Sequence, residues 1–202
     1  MDSTGTIVNC IQAAARDVGL PVPDDHAAAQ VIGLSLQRAM ETAIPEMRAE
    51  QYPRLVERYR YRYLNQDSNL ALFDGVPEML TDLSAQGYFL AVATGKSRVG
   101  LNRALQASGL ASLFDATRCA DETFSKPHPA MLQELTHQLG QNMQRTVMIG
   151  DTTHDLLLAQ NAGASGIAVY YGAHPPHELD QLAPIYAASS TAELHAWLNE
   201  NG

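Results

Sequence analysis

Positive charge is scarce in this chain, and so are cysteine and long apolar runs. Thirteen Lys and Arg residues stand against 22 Asp and Glu, for a net charge of −9. A polyanionic partner needs a basic footprint, so nucleic acid is excluded as a partner. A small phosphorylated metabolite is not, because a single lysine and a metal ion can meet its charge locally. Cys10 and Cys119 are too few for a disulfide framework. They read instead as small buried apolar residues of a protein kept in the reducing cytoplasm. No segment reaches the ~20 apolar residues that span a bilayer. Met1-Asp2 opens without the basic and apolar stretches of a secretion signal. The expectation is a cytoplasmic protein that engages neither membrane nor nucleic acid.

What is present is ordinary in amount and ordered in arrangement. With 202 residues, 46% hydrophobic and 17% charged, the chain accommodates one core domain and a modest insertion. Residues 3–66 read as helix after helix. Ile7, Ile11, Ala14 and Ala15 form an apolar stripe at helical spacing, and Gly19 supplies a stop. Asp24 or Asp25 caps a helix running through Ala27, Ala28 and Ala29. Ile32-Gly33-Leu34-Ser35 is a turn; one helix starts near Ser35 and a longer one covers 47–64. No strand is expected here.

After Phe73-Asp74-Gly75 the pattern alternates. Helices over 76–86, 97–108, 129–139 and 154–161 are interleaved with strands over 88–93, 114–117, 146–149 and 166–170. Such alternation implies parallel β-α-β units with functional loops at the strand C-termini. The expected fold class is α/β: a Rossmann-like, doubly wound parallel sheet over 74–202, with a helical cap over 1–73.

Three motifs fall at those strand ends. Met148-Ile149-Gly150-Asp151-Thr152-Thr153-His154-Asp155 places two carboxylates four residues apart. Asp151, beside a glycine that lets backbone approach, suits Mg2+, which takes hard oxygen ligands and keeps several waters. Asp155 begins the next helix, where it either orients a ligand or the lysine, or serves as a plain helix cap. Thr94 and the Gly95 amide end an apolar strand and either hold a phosphoryl oxygen or cap the following helix. Lys126, set in Ser125-Lys126-Pro127-His128-Pro129, is a fixed ammonium that can neutralise a transferring phosphoryl group.

Other features read as bland. Within Arg58-Tyr59-Arg60-Tyr61-Arg62-Tyr63, Tyr59 and Tyr63 share a helix face with Leu55, and Arg58 and Arg62 share a neighbouring one, which describes an amphipathic helix rather than a nucleic-acid patch. His128 and His154 lack partners at zinc-site spacing, and His154 is expected to be exposed. His174-Pro175-Pro176-His177 is either a rim loop or a helix entry.

In that order, the strand-end Thr94, the Lys126 motif and the Asp151/Asp155 pair make the chain resemble the haloacid dehalogenase-like (HAD) superfamily, and within it the phosphoglycolate phosphatase-like enzymes. The resemblance implies a nucleophilic Asp in a strand-end Asp-x-Asp-Gly-Thr motif. That Asp forms an aspartyl-phosphate, and the second Asp acts as general acid and base. It further implies Mg2+ held with the help of Asp151, a phosphoryl group held by Thr94, Gly95 and Lys126, and support from Asp155. The acidic pair favours phosphatase over dehalogenase. The nucleophile motif itself is absent: Asp2-Ser3-Thr4-Gly5-Thr6 imitates it with no strand before it, whereas Met1-Asp2-Ser3 matches the tail that follows it. The central first strand, between those ending at Thr94 and Gly150, is therefore expected to be missing, through a misplaced start at an internal Met, an incomplete sequence or true loss with something else filling its place. The full-length parent is expected to be a Mg2+-dependent phosphatase of a small phosphorylated metabolite, and residues 1–202 alone to be inactive. A non-catalytic, degenerate protein of the same fold that binds a phosphorylated ligand or a protein partner is the alternative. A receiver-like signalling domain fits the long N-terminal helical block poorly.

Overall fold

The computed structural model describes residues 1–65 and 71–202. The expected end of the helical run at residue 66 lies outside them. The helical block consists of α1 (Thr4–Val18), α2 (Asp25–Gln30), α3 (Leu36–Ala43) and α4 (Tyr52–Leu64). The stripe on α1 faces inward: Ile11, Ala14 and Ala15 are fully buried, together with Met40, Ile44 and Leu55 from the other helices. Gly19 closes α1 in the left-handed conformation, its N–H reaching the Ala15 and Arg16 carbonyls. Asp24 is the residue that caps α2, accepting the Ala27 N–H at 2.7 Å. The fourth helix starts at Tyr52 rather than 47, after a 3-10 turn over Ala49–Gln51. Pro53 lacks an N–H and is tolerated only in a first turn, so it sets that start. Arg58 and Arg62 both close on Asp17, at 3.0 and 2.6 Å.

The remainder alternates: α5 (Val76–Ala85), β1 (Ala91–Thr94), α6 (Arg98–Ser108), β2 (Ala116–Cys119), α7 (Ala130–Gln138), β3 (Val147–Gly150), α8 (Thr153–Ala162), β4 (Ser165–Val169), α9 (Pro176–Asp180), β5 (Tyr186–Ala188) and α10 (Thr191–Asn201). All strand pairs are parallel. Ala91 aligns with Ala116 in β1–β2, Val147 with Ser165 in β3–β4, and Ile167 with Tyr186 in β4–β5. The first strand is shorter than expected. Tyr88 and Phe89 are exposed, and the Leu90 N–H is taken by the Asp115 side chain at 2.8 Å. That contact also shifts β2 two residues beyond its expected start at 114. The sequence pattern missed β5 and α10 and left the entry to α9 open.

The strands form two sheets, β1-β2 and β3-β4-β5, rather than one. The second helical layer is shared: α7 packs on β1 and β2 and also on α8, which covers β3 and β4. β1 and β3 each have one ladder partner among the described residues. Val147 and Ile149 on β3 are 40% and 37% exposed, although a β-α-β strand is normally covered on both faces. Cys10 and Cys119 are buried and not joined in a disulfide, and among the described residues no helix is long and apolar enough to cross a membrane.

Candidate active site

Asp151 follows β3 directly, and its carboxylate is fixed by the Ala173 N–H at 2.9 Å. The Asp151 carbonyl accepts the His174 N–H at 3.0 Å, so the loop after β4 is tied to the end of β3. Gly172 sits so close that a Cβ there would overlap the Asp151 side chain. Gly150 plays the same part for Asp155: a Cβ would strike the Asp155 carboxyl, so the glycine makes room for it.

Asp155 does not cap its helix; Thr152 does. The two form a capping box in which the Thr152 hydroxyl donates to Asp155 Oδ2 at 2.7 Å and the Thr152 N–H reaches the same oxygen at 3.2 Å. The other oxygen, Oδ1, receives the Lys126 ammonium at 2.5 Å. Burial alone would raise the Asp155 pKa, but the Lys126 charge and the hydrogen bonds from Lys126 and Thr152 hold it below the usual carboxylate range. Asp151 goes the other way. Burial raises it first and the neighbouring Asp155 charge adds to this, against the Ala173 N–H and the Lys126 charge. A half-buried carboxylate whose ionisation is disfavoured in this way is a place where a cation is stabilising. Among the described residues no group of three or more His, Cys, Asp or Glu could hold a metal ion. Mg2+ fits the residues present nonetheless, because it is bound through one or two carboxylates and keeps its waters; Asp151 would supply that carboxylate.

Across from this cluster, Thr94 ends β1. Its Oγ1 accepts the Lys96 N–H at 3.1 Å, which leaves the hydroxyl hydrogen to be donated elsewhere. The bland reading of Thr94 as a cap does not hold, since Ser97 caps α6 through the Gly100 N–H at 3.3 Å. The helical block bridges both halves of the site. A Cβ on Gly95 would lie 2.5 Å from the Leu34 carbonyl oxygen and 2.6 Å from that of Gly33. Gly33, at φ +96, would in turn place a Cβ 3.1 Å from Thr152 Oγ1. The turn expected at residues 32–35 therefore lies against both the Thr94 end of β1 and the Asp151 end of β3. The Met1 ammonium lies within electrostatic reach of Asp151 and Lys96, its pKa lowered by burial, raised by Asp151 and lowered by Lys96.

His154 is not exposed, contrary to expectation. Its Nε2 bonds the Gln30 carbonyl at 2.9 Å, so that nitrogen carries the proton, and its ring meets His174 edge-on at 5.4 Å. Burial lowers the pKa of both imidazoles. His174 is 2% exposed and accepts the Thr153 N–H through Nδ1 at 3.1 Å. Pro175 stands at the N-cap position of α9, so the 174–177 segment enters a helix, and the buried His174 is tied through its N–H to the end of β3. Sequence reasoning missed Gly33, Gly172 and Lys96 beside the candidate residues, while His174 was named only within a segment left open as rim loop or helix entry. Only the Thr94-Gly95-Lys96 spelling carried a hint, because Lys96 stands beside a motif already singled out. Asp2 belongs to the start of the helical block: its N–H bonds the Ala71 carbonyl at 2.9 Å, and Thr4, Gly5 and Thr6 form the first turn of α1.

Comparisons with known proteins bear on the family and the fold. The family described as haloacid dehalogenase-like hydrolase matches residues 1–169. The "Probable phosphatase IndB" of Dickeya dadantii is 37% identical over 201 residues, covering 96% of this chain and 86% of that protein. A phosphoglycolate phosphatase of Mannheimia succiniciproducens is 30% identical over 188 residues, covering 85% of this chain and 84% of that protein. The crystal structure of a hydrolase from Pseudomonas syringae superposes with a TM-score of 0.89 at 20% identity, over 98% of this chain and 93% of that one, a likeness of fold alone.

Proposed function

The chain belongs to the haloacid dehalogenase-like hydrolase family, and from that premise we propose that its site serves a Mg2+-dependent phosphatase acting on a small phosphorylated metabolite. Phosphoglycolate, the substrate in the name of the Mannheimia relative, is the first candidate. In this reading Thr94 donates its hydroxyl, and Gly95 its amide, to a phosphoryl oxygen. Lys126 neutralises charge spread over the transferring group. Asp155 positions Lys126 and does not touch substrate. Asp151 holds Mg2+, which when bound supplies charge stabilisation for the phosphoryl oxygens. Residues 1–73 act as a cap that closes through Gly33 and Leu34 and keeps water from the reacting bond.

The carboxylate nucleophile is the piece that residues 1–202 do not place. We assign it to a strand seated between β1 and β3, whose C-terminal end would reach the gap between Thr94 and Asp151. The split into two sheets and the exposed Val147 and Ile149 support this assignment. On such a strand the Asp would attack phosphorus as the ester P–O bond breaks and the alcohol leaves with a proton from a general acid, giving an aspartyl-phosphate that water hydrolyses back to the carboxylate and inorganic phosphate.

The observation that carries the reading is the buried Lys126–Asp155 pair beside a second, partly buried carboxylate, Asp151, whose pKa is raised. Burying such charges opposes folding unless their geometry is excellent, and this arrangement is more economically explained by a ligand than by stability. Titration calorimetry of Mg2+ and inorganic phosphate against the purified chain tests it. Both should bind, and Asp151→Asn should weaken Mg2+ by roughly tenfold or more. Absence of phosphate and Mg2+ binding, or equal Mg2+ affinity in the variant, rejects the reading.

A further inference from the structure

His174 is 2% exposed, yet nothing in the phosphoryl chemistry set out above uses its side chain. Its placement follows from how α8 begins. The first N–H groups of a helix have no partner within it. Thr152 Oγ1 accepts the Asp155 N–H at 3.3 Å, which leaves the Thr153 N–H to find an acceptor outside the helix. His174 Nδ1 is that acceptor, at 3.1 Å. A backbone N–H only donates, so Nδ1 is unprotonated and Nε2 carries the ring's proton. Nε2 makes no hydrogen bond among the described residues, although the Ala29 carbonyl at the end of α2 is near it. The ring is held edge-on by His154 at 5.4 Å, itself anchored on the Gln30 carbonyl at 2.9 Å.

A buried donor left unpaired opposes folding, and an apolar side chain of similar size would fill the space without one. What the imidazole supplies, and such a residue cannot, is the acceptor at Nδ1. That acceptor fixes a loop as well as a helix end. His174 is attached twice to the segment after β3: its N–H meets the Asp151 carbonyl at 3.0 Å, and its Nδ1 meets the Thr153 N–H. Ala173, immediately before it, then aims its own N–H at Asp151 Oδ2, at 2.9 Å. On the far side of Ala173, Gly172 approaches the Asp151 side chain so closely that no Cβ fits between them. Residues 172–174 thus brace Asp151, and the imidazole ties down one end of the brace.

Resting on the reading of Asp151 as the Mg2+ carboxylate, we propose that His174 is the positioning residue of that carboxylate. It touches neither substrate nor metal and acts through the Ala173 N–H. With that N–H fixed in direction, Asp151 is held in one orientation before the cation arrives, and binding does not have to order it. A packing role alone would use the same buried ring but would not depend on its acceptor nitrogen.

Calorimetry of Mg2+ and of inorganic phosphate on the full chain, with amide exchange read at Ala173, separates these cases. His174→Leu fills the same space and removes the unpaired donor, but it lacks the acceptor. It should weaken Mg2+ roughly tenfold, with a smaller loss for phosphate, and speed exchange at Ala173 severalfold. His174→Asn places a side-chain oxygen as many bonds from the backbone as Nδ1, so it should recover most of the Mg2+ affinity and of the protection. Urea midpoints are measured for both variants. Under a packing role Mg2+ affinity would follow stability, and the acceptor would not rank the variants. Unchanged Mg2+ affinity or unchanged Ala173 exchange in His174→Leu overturns the positioning role, as does an equal Mg2+ loss in His174→Asn; Asp151 then keeps the metal without help from His174. If the unchanged protein binds no Mg2+, the phosphatase reading fails, and this inference with it.

Discussion

Lys126 Nζ lies 2.5 Å from Asp155 Oδ1, and each side chain is 6% exposed. The pair is therefore shielded from the screening that makes surface ion pairs nearly neutral. Its attraction has to offset the cost of removing two charges from water, and the Thr152 hydroxyl and N–H complete the balance at the second Asp155 oxygen. Removing one partner strands the other. Lys126→Met should destabilise the fold by about 3–5 kcal/mol, read as a lower urea midpoint at unchanged slope. A loss below about 1 kcal/mol, the scale of an exposed pair, would mean that the charges are solvated.

Gly95 is the contact through which the helical block meets the end of β1. A methyl group there would face the Leu34 and Gly33 carbonyl oxygens at 2.5 and 2.6 Å. Both are backbone atoms, so relief requires movement of the whole 33–34 turn. Gly95→Ala should displace the block from the strand end and destabilise by roughly 1–3 kcal/mol. Amide hydrogen exchange at residues 31–36 should rise severalfold while exchange in α8 and β4 stays slow. Unchanged exchange at those amides would show that the block does not rest on Gly95.

The sequence made the ends of β1 and β3 legible because apolar runs finishing in Thr94 and Asp151 are strong local signals. It could not reveal that Asp155 belongs to a capping box led by Thr152, since both residues are common near helix starts and spacing alone leaves the division of roles open. Tyr59 and Tyr63 were assigned correctly to one helix face, and they do stack. That Tyr63 meets Lys96 is a contact between residues 33 apart, and no periodicity encodes it. His154 was misjudged for the same reason. Local pattern placed it at a helix start, whereas the Gln30 carbonyl that buries it comes from the other end of the chain. The late strand β5 went unseen because a three-residue run, Tyr186–Ala188, is too short to show alternation.

The Asp17 pairing gives the helical block an acid-labile clamp. The Arg62 hydrogen bond first, then Arg58 and their charges, hold the Asp17 pKa near 2 against an ordinary 3.8, outweighing a smaller effect of burial. A depressed folded pKa contributes stability that is fully present above the unfolded value and is lost as pH falls toward the folded one. Unfolding midpoints should therefore drop between about pH 4 and pH 2. Asp17→Asn should lower stability above that window and flatten the drop within it. Glu122, held to about 2 chiefly by Arg98, titrates in the same range, so the variant should flatten the drop only partly. An acid limb identical in wild type and variant would remove Asp17 from the account.

Turnover by residues 1–202 is the sharpest discriminator of the strand assignment. β1 is the first strand among the described residues, so no described Asp before Thr94 follows a strand. Asp2 opens the imitation motif, but it is exposed and leads directly into α1. A nucleophile needs its carboxylate held in line with phosphorus, and a loop-borne Asp turned to solvent lacks that orientation. The chain, with its Met1 start confirmed by intact mass, should therefore bind phosphate and Mg2+ yet release no phosphate from monoesters above the buffer rate. Adding a strand that ends in Asp-x-Asp, joined in frame before Met1, should both restore turnover and protect the β3 amides from exchange. Robust turnover by the chain alone, abolished by Asp2→Asn, would make Asp2 the nucleophile and overturn the strand assignment.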